Sequence, residues 1–156
     1  MDGWHKHPNG GGLVQDTACI SDYAWISDDA WVYGDARIYG NARIFGDARI
    51  YGNAQVSGDA WVYGDARVSG DAWPKSPLHI KGPRHSITLS TYNTITIGCL
   101  TYTLEQWKEN FRKIGELEKY EPEEIELYGL LIETICRYAQ TLQSSAINQN
   151  INQKET

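Results

Sequence analysis

A repeat of six residues runs through the first half of the chain and restricts the folds that it can adopt. From Asp28 the sequence reads DDAWVY, GDARIY, GNARIF, GDARIY, GNAQVS, GDAWVY, GDARVS and GDAW. An aliphatic residue recurs at every sixth position with a small residue two places before it, and neither an α-helix nor an alternating β-strand has this period. A repeat of fixed length instead predicts a solenoid, in which stacked units bury one continuous core.

The residue types within each unit indicate which side chains face the core. Only small and branched side chains fit inside a narrow prism, so the alanine and the aliphatic residue are predicted to point inward. Gly-Asp or Gly-Asn is predicted to form each corner, because Gly and Asn tolerate a positive φ and Asp bonds its own backbone. The predicted inward residues are Ala30, Val32, Ala36, Ile38, Ala42, Ile44, Ala48, Ile50, Ala54, Val56, Ala60, Val62, Ala66 and Val68.

The consecutive Gly-Asp-Ala-Arg units, preceded by degenerate units at Asp16 and Asp22, resemble the hexapeptide-repeat superfamily over roughly residues 13 to 73. The resemblance implies a left-handed parallel β-helix in which roughly three hexapeptides complete one triangular coil. It implies about three coils, with residue n stacked on residue n+18 at the inter-strand spacing of ~4.8 Å. It also implies a homotrimer, since packing three prisms side by side is the usual assembly of the superfamily.

Stacking of this kind places aromatic and arginine side chains in columns on the outside of the coil. The third predicted face has Cys19, Arg37, Gln55 and Trp73. The first and second faces have the candidate binding residues, which are Trp25, Arg43, Trp61 and Tyr63 on one face and Trp31, Tyr33, Arg49, Tyr51 and Arg67 on the other.

Two interpretations of these columns stay open. In one, they only stabilise the coil, because an arginine over an exposed ring contributes ~0.5–1 kcal/mol. In the other, another subunit or a host protein covers them, because interfaces are enriched in Trp, Tyr and Arg. A cleft between subunits could also hold a small planar or anionic ligand between rings and guanidinium groups. The aspartate column at one corner (Asp29, Asp47, Asp65) lacks the pattern of calcium-binding rolls, so no metal is predicted there.

The positions of the histidines in the sequence argue against catalysis. Many proteins of the superfamily are acyltransferases, and the γ-class carbonic anhydrases are a neighbouring family; both need histidine for their chemistry. The repeats contain none, and the four histidines of the chain are His5, His7, His79 and His85. His5 and His7 have no obvious third metal ligand. We predict a protein that is not an enzyme and has no cofactor, with an acyltransferase that uses His79 or His85 as the alternative.

The net charge indicates which classes of partner the protein can bind, and the cysteine content indicates the cellular compartment. The chain has 14 Lys and Arg against 20 Asp and Glu, a balance that makes nucleic acid an unfavourable partner. Its three cysteines form no C-x-x-C pair, which is typical of reduced thiols in a cytoplasmic protein. No apolar run is long enough to span a bilayer. The sequence therefore predicts a cytoplasmic protein without a membrane partner.

The predicted fold is mainly β and has five parts along the chain. These are an N-terminal arm (1–12), the repeat solenoid (13–73), a short β segment (74–102), a two-helix region (103–143) and a disordered polar tail (144–156). Within the β segment, two or three antiparallel strands are expected, with a hairpin at Thr91-Tyr92-Asn93.

Capping signals bound the two predicted helices. Thr103 and Gln106 have the spacing of a capping box, and Gly115 is expected to end the first helix. The second helix is expected to begin near Pro122, a favourable residue for a first turn. Its apolar stripe could pack on the first helix, which we favour, or form a three-stranded coiled coil in the trimer. The stripe is Ile125, Tyr128, Ile132, Ile135, Ala139 and Leu142.

Short segments over nearly the whole length add a second resemblance. HPNGGGLV, SPLHI, IGC, LEQWK and EIELYG, together with the repeats, resemble small phage and prophage hexapeptide-repeat proteins. This implies an accessory protein of viral origin that acts in the cytoplasm of a bacterial host. Such a protein would bind a host component, including a component of antiviral defence, or sequester a small ligand. A structural assembly protein of a virion is a further alternative.

Overall fold

The first half of the chain forms a β-solenoid with very short strands. The computed structural model describes residues 2–154. Its first strands are β1 (Trp4–Lys6), β2 (Leu13–Gln15), β3 (Cys19–Ile20), β4 (Trp25–Ile26), β5 (Trp31–Val32), β6 (Arg37–Ile38), β7 (Arg43–Ile44), β8 (Arg49–Ile50), β9 (Gln55–Val56), β10 (Trp61–Val62), β11 (Arg67–Val68) and β12 (Ala72–Trp73).

Strands that lie three apart in the chain pair in parallel and form the three faces of the solenoid. The sheets are β2-β5-β8-β11, β4-β7-β10 and β3-β6-β9-β12. Trp25 pairs with Arg43 and Arg43 with Trp61, so residue n stacks on n+18 as predicted. The path from β2 to β11 makes roughly three turns. All the predicted inward alanines and aliphatic residues are buried and form the core.

The last repeat departs from the predicted register. Trp73 was expected to point outward beside Gln55, but it is only 2% exposed. It pairs with Val56, and Ala72 pairs with Gln55, so the strand has slipped by one residue. The positive φ of this corner accordingly falls on Asp71. No further coil follows, so the indole covers the end of the apolar core and donates a hydrogen bond to the carbonyl of Gly70 (2.7 Å).

The N-terminal arm closes the other end of the solenoid. Strand β1 pairs antiparallel with β2 and extends that sheet. Beside it, the amide of Gly12 donates to the carbonyl of Ile26 (2.7 Å), and the amide of Ile26 donates to the carbonyl of Asn9 (3.0 Å). These bonds occupy strand edges that would otherwise be open to other chains.

An antiparallel sheet follows the solenoid and packs against its last coil. It has four strands, more than the two or three expected, in the order β13-β14-β15-β16. Tyr92 and Asn93 form the predicted hairpin turn. The amide of Ser69 in the last coil donates to the carbonyl of Ser90 (3.0 Å). The strands are β13 (His79–Ile80), β14 (Ile87–Thr91), β15 (Thr94–Ile97) and β16 (Leu100–Thr103).

Two helices cover this sheet, α1 (Leu104–Leu117) and α2 (Pro122–Lys154). The capping box of Thr103 and Gln106 is present. Gly115 does not end α1, which continues to Leu117. Instead it lies where α1 meets α2, and a β-carbon there would come within 2.7 Å of Ile125 Cγ1. The glycine is therefore a position of close helix packing.

Helix α2 is longer than predicted. It continues from residue 144 to Lys154, whereas the sequence indicated a disordered tail from residue 144; residues 155 and 156 of that tail lie outside the described residues. No Pro or Gly interrupts this stretch, and the hydroxyls of Ser144 and Ser145 donate to the carbonyls of Gln140 and Thr141. These bonds are compatible with helical backbone.

The apolar stripe of α2 packs inside the chain. Ile125 is buried. Tyr128, Ile132, Ile135 and Ala139 are buried in the core, and Leu142 is partly buried against it. The stripe is therefore not available as a coiled-coil seam, which agrees with the favoured prediction. In the described residues neither helix combines the length and the apolar character needed to cross a bilayer. The three cysteines are free thiols.

Candidate functional site

The most exposed aromatic surface lies on the sheet β4-β7-β10. We call its outward side, formed by Trp25, Arg43, Trp61 and Tyr63, the tryptophan face. Trp25 is 50% exposed and Trp61 is 45% exposed. The guanidinium carbon of Arg43 lies 5.5 Å from the centroid of the Trp61 ring. An open groove of about 390 Å³ runs along this face between the two indoles. Arg43 lies at its middle, because its strand is between theirs.

Neighbouring side chains fix the walls of this groove. The Phe45 ring stacks on Tyr63 with centroids 5.8 Å apart and meets Trp61 edge-on at 5.9 Å. Asp28 also lines the groove, and its carboxylate accepts a hydrogen bond from the amide of Gly46 (3.2 Å). The carboxylate balances the formal charge of the arginine in the groove. The tryptophan face therefore combines exposed rings with little net charge.

The other predicted site residues lie on a different face, formed by β5, β8 and β11. We call the outward residues Trp31, Arg49 and Arg67 with Tyr33 and Tyr51 the arginine face. Tyr33 and Tyr51 stack with centroids 5.2 Å apart, and the Arg49 guanidinium lies 5.6 Å from the centroid of the Trp31 ring. Burial, and then the neighbouring Tyr51, raise the pKa of Tyr33.

Trp4 of the N-terminal arm, which the sequence did not single out, covers part of the arginine face. Its ring lies 5.5 Å from that of Trp31 and 6.0 Å from that of Tyr33. No repeat pattern includes Trp4, so only its aromatic character could have marked it. The aromatic side chains at this end of the arginine face already have partners within the chain, and the structure does not bring the two predicted groups into one site.

Comparison with known proteins bears on the middle coils of the solenoid. Residues 36–49 and 48–64 match the family model of the YdcK Beta solenoid repeat. The chain is thus similar to a β-solenoid family over the strands that position Arg43, Arg49 and Trp61. No significant match exists among the curated proteins. None exists among the solved structures.

The N-terminal histidines have separate partners. His5 Nδ1 lies 2.8 Å from a carboxylate oxygen of Asp16, and the buried His7 has Nδ1 3.2 Å from the carbonyl of Asn9. Within residues 2–154, no three His, Cys, Asp or Glu side chains are grouped so as to hold a metal ion.

His79 lies in the junction between the solenoid and the antiparallel sheet. Its side chain is 5% exposed, with Nδ1 2.9 Å from Thr88 Oγ1 and Nε2 3.4 Å from Asp65 Oδ1. Burial lowers its pKa, the Asp65 charge opposes this, and Lys81 lowers it further. Thr88 therefore occupies Nδ1 through a hydrogen bond, and the Asp65 carboxylate faces Nε2 at ion-pair distance.

His85 is exposed beside the same sheet. Its backbone amide donates to the hydroxyl of Tyr128 (2.8 Å), and its carbonyl accepts from that hydroxyl (2.6 Å). The ring borders an apolar cavity of about 50 Å³ under the helices. Such a volume admits no more than a few water molecules, so we regard the cavity as a packing space.

Proposed function

We propose that the protein is a non-catalytic binding protein that assembles as a homotrimer through the tryptophan face. The observation that supports this proposal is the exposed stack of Trp25, Arg43 and Trp61 on consecutive strands. Trp and Arg are the residue types most often responsible for binding energy in protein interfaces. Water-exposed indoles in such an array would gain from burial against another protein.

A second copy of the chain is the occupant that we propose for this face. The aspartate column of Asp29, Asp47 and Asp65 lies at the corner beside the tryptophan face, one residue of the column per coil. In a closed three-fold ring, each tryptophan face would meet the edge of the next copy. Arg43 of one copy could then pair with the aspartate column of its neighbour. Such a contact is heterologous, and the two columns would have the same spacing, with Arg43 beside one aspartate and the two indoles beside the others.

The surfaces that remain outside the trimer would bind the biological partner. The resemblance to phage and prophage proteins favours a host protein, which includes a component of antiviral defence, as that partner. The second candidate partner is a small planar ligand held against the indoles of the groove, where Arg43 could pair with an anionic group. The groove volume supports this alternative, and the carboxylate of Asp28 in its wall weighs against a highly charged ligand.

Native mass spectrometry of the freshly purified protein tests the assembly. We expect a trimer for the wild type, and smaller species for Trp61→Ala and for Arg43→Glu with unchanged circular dichroism. Loss of one interface anchor costs ~2 kcal/mol or more, which is about a thirtyfold weaker association per contact. Arg37→Glu is the matched control, because Arg37 has the equivalent outward position on β6.

The other outcomes discriminate among the alternatives. If both variants stay trimeric, the tryptophan face only stabilises the coil and the proposal is wrong. A monomeric wild type would exclude the homotrimer and leave the face open for a different protein. An additional small mass on the wild type that is lost in Trp61→Ala would favour the small-ligand alternative.

A further inference from the structure

A second cleft lies at the junction between the last coil and the antiparallel sheet. Its volume is about 240 Å³, and Asp65, Arg67, Ser86 and Thr88 are among the residues that line it. It is separate from the tryptophan face, because Arg67 belongs to β11 of the arginine face. Water in the liquid occupies about 30 Å³ per molecule, so the cleft has room for a small organic molecule.

The hydroxyl of Ser86 lacks a partner in this cleft. Ser86 is 6% exposed, and its Oγ makes no hydrogen bond to the described residues. Burial raises the pKa of the nearby Asp65 carboxyl, and the Ser86 hydroxyl, which is placed to donate toward this carboxyl, is the first of the groups that lower the pKa on balance. The pair does not reach hydrogen-bond geometry. An unpaired buried hydroxyl is costly, so this group is a donor available to a ligand.

Arg67 is the second available donor. It is half-buried and has neither an ion pair nor a hydrogen bond among the described residues. Its neighbour in the column is Arg49, another cation. By contrast, Arg84 pairs with Glu124 at 2.7 Å. A half-buried guanidinium presents several N–H groups to an acceptor, and it binds carboxylate and phosphate oxygens in pairs.

The threonine hydroxyls of the wall already have partners. Thr88 Oγ1 bonds His79, and Thr96 Oγ1 bonds both Ser90 (2.6 Å) and Thr101 (2.8 Å). The guanidinium of Arg67 and the hydroxyl of Ser86 are donors without a hydrogen-bond partner in this wall, and the exposed imidazole of His85 and the thiol of Cys99 line the same cleft. A ligand that satisfies Arg67 and Ser86 must supply acceptor oxygens.

We infer that this cleft binds a small molecule through a carboxylate group, held by Arg67 and Ser86. The carboxylate of Asp65 on the same wall repels negative charge, so a singly charged carboxylate suits the cleft better than a dianionic phosphate. The inference does not depend on the tryptophan face, and Asp65 is the residue that the cleft shares with the aspartate column of the proposed trimer.

Amide chemical shifts of the full chain, followed by NMR during titration with acetate and separately with inorganic phosphate, test this assignment. We expect acetate to shift the amides of Ser86 and Thr88 saturably, and phosphate to bind more weakly. Arg67→Gln and Ser86→Ala should each weaken acetate binding, with roughly a tenfold or greater loss for Arg67→Gln. Arg37→Gln, on a different face of the solenoid, should bind as the wild type does.

The same variants distinguish the loss of a ligand contact from a loss of folded structure. Ser86→Ala removes the contribution of the hydroxyl to the lowered pKa of Asp65, so its melting temperature can fall slightly, but its circular dichroism should be unchanged while it loses acetate binding. The inference is overturned if neither anion gives a saturable shift, or if Arg67→Gln binds acetate as well as the wild type does. Tighter binding of phosphate than of acetate would overturn the choice of a carboxylate.

Discussion

The guanidinium carbon of Arg43 lies 5.5 Å from the ring centroid of Trp61, one coil further along the solenoid. The contact gives the same pair two possible roles, since it can stabilise the stack of coils and can also present a rigid surface to another molecule. A cation over an exposed ring contributes only ~0.5–1 kcal/mol. A covered interface residue contributes more, so the two roles are separable by magnitude.

The first prediction concerns the role of this pair within one chain. Arg43→Gln should lower the free energy of unfolding by about 0.5–1 kcal/mol, because it removes the cation from the Trp61 ring. Arg37→Gln should change it less, since the Arg37 guanidinium lies over no ring among the described residues. Urea denaturation at several protein concentrations separates the loss of stability within one chain, which does not depend on concentration, from an effect on association, which does. Equal losses in both variants would argue against a specific contact.

The second prediction concerns the indole that closes the C-terminal end of the core. Trp73→Ala should destabilise the protein by about 3–5 kcal/mol, because a buried ring is lost where no further coil can fill the space. Its edge-on contact with Tyr92, with centroids 5.1 Å apart, would also be lost. Tyr23→Ala is the control, as Tyr23 is an exposed aromatic residue of the same solenoid.

Denaturation curves of both variants measure this difference, and hydrogen exchange localises it. Protection of the amides near Gln55 and Ser57 should fall in Trp73→Ala, since both donate to the last repeat. A cost near that of Tyr23→Ala would mean that the ring is not a structural cap.

The sequence predicts the stacking of the solenoid well, because the residue types that define each repeat recur every six positions. Trp61 and Arg43 align from spacing alone. The inward turn of Trp73 is not predictable in this way, because GDAW opens its repeat as GDAWVY does at Trp61. Both strands lie at the end of their sheets. What differs is the chain that follows, since the repeat continues through Val62 after Trp61 and stops at Pro74 after Trp73.

The repeat pattern also could not predict contacts between segments that are distant in the sequence. Trp4 covers Trp31 only because β1 pairs with β2. The cleft of Arg67 and Ser86 exists only because the antiparallel sheet packs on the last coil. Periodicity identifies which side chains point outward, but it contains no information on which of them a separate segment will cover.

The third prediction is a dependence of stability on pH that arises from His79. Burial holds the pKa of this imidazole below its ordinary value, so the unfolded chain takes up a proton more readily than the folded chain does. The contribution of the neutral ring to the free energy of unfolding is therefore fully present above about pH 6.5. It is lost as the pH falls toward the lower pKa of the folded state.

Measurements of the unfolding free energy at pH 7.5 and pH 5 test this sign. The wild type should lose more stability on acidification than His79→Gln, in which the amide can still bond Thr88 but does not titrate. His85→Gln, at an exposed position of the same region, should keep the wild-type dependence. If His79→Gln and the wild type lose stability in parallel, protonation of His79 does not govern the junction.

The last prediction compares two glycines with positive φ, Gly52 at a corner of the solenoid and Gly11 in the N-terminal arm. Gly52 has φ 62° and Gly11 has φ 82°, so alanine at either position carries the strain of the left-handed region, about 1–2 kcal/mol. A β-carbon at Gly52 would also collide with the backbone carbonyl of Ser69, whereas at Gly11 it would meet nothing within 4 Å.

Gly52→Ala should therefore be less stable than Gly11→Ala by a further 1–3 kcal/mol, roughly the cost of overpacking. The carbonyl cannot move aside alone, because the amide of the same residue, Ser69, is bonded to Ser90 in the adjoining sheet. Thermal and urea unfolding of the two variants, at matched protein concentration, measure the difference. Equal stabilities would show that the last coil yields at this corner, and that the antiparallel sheet does not hold it in place.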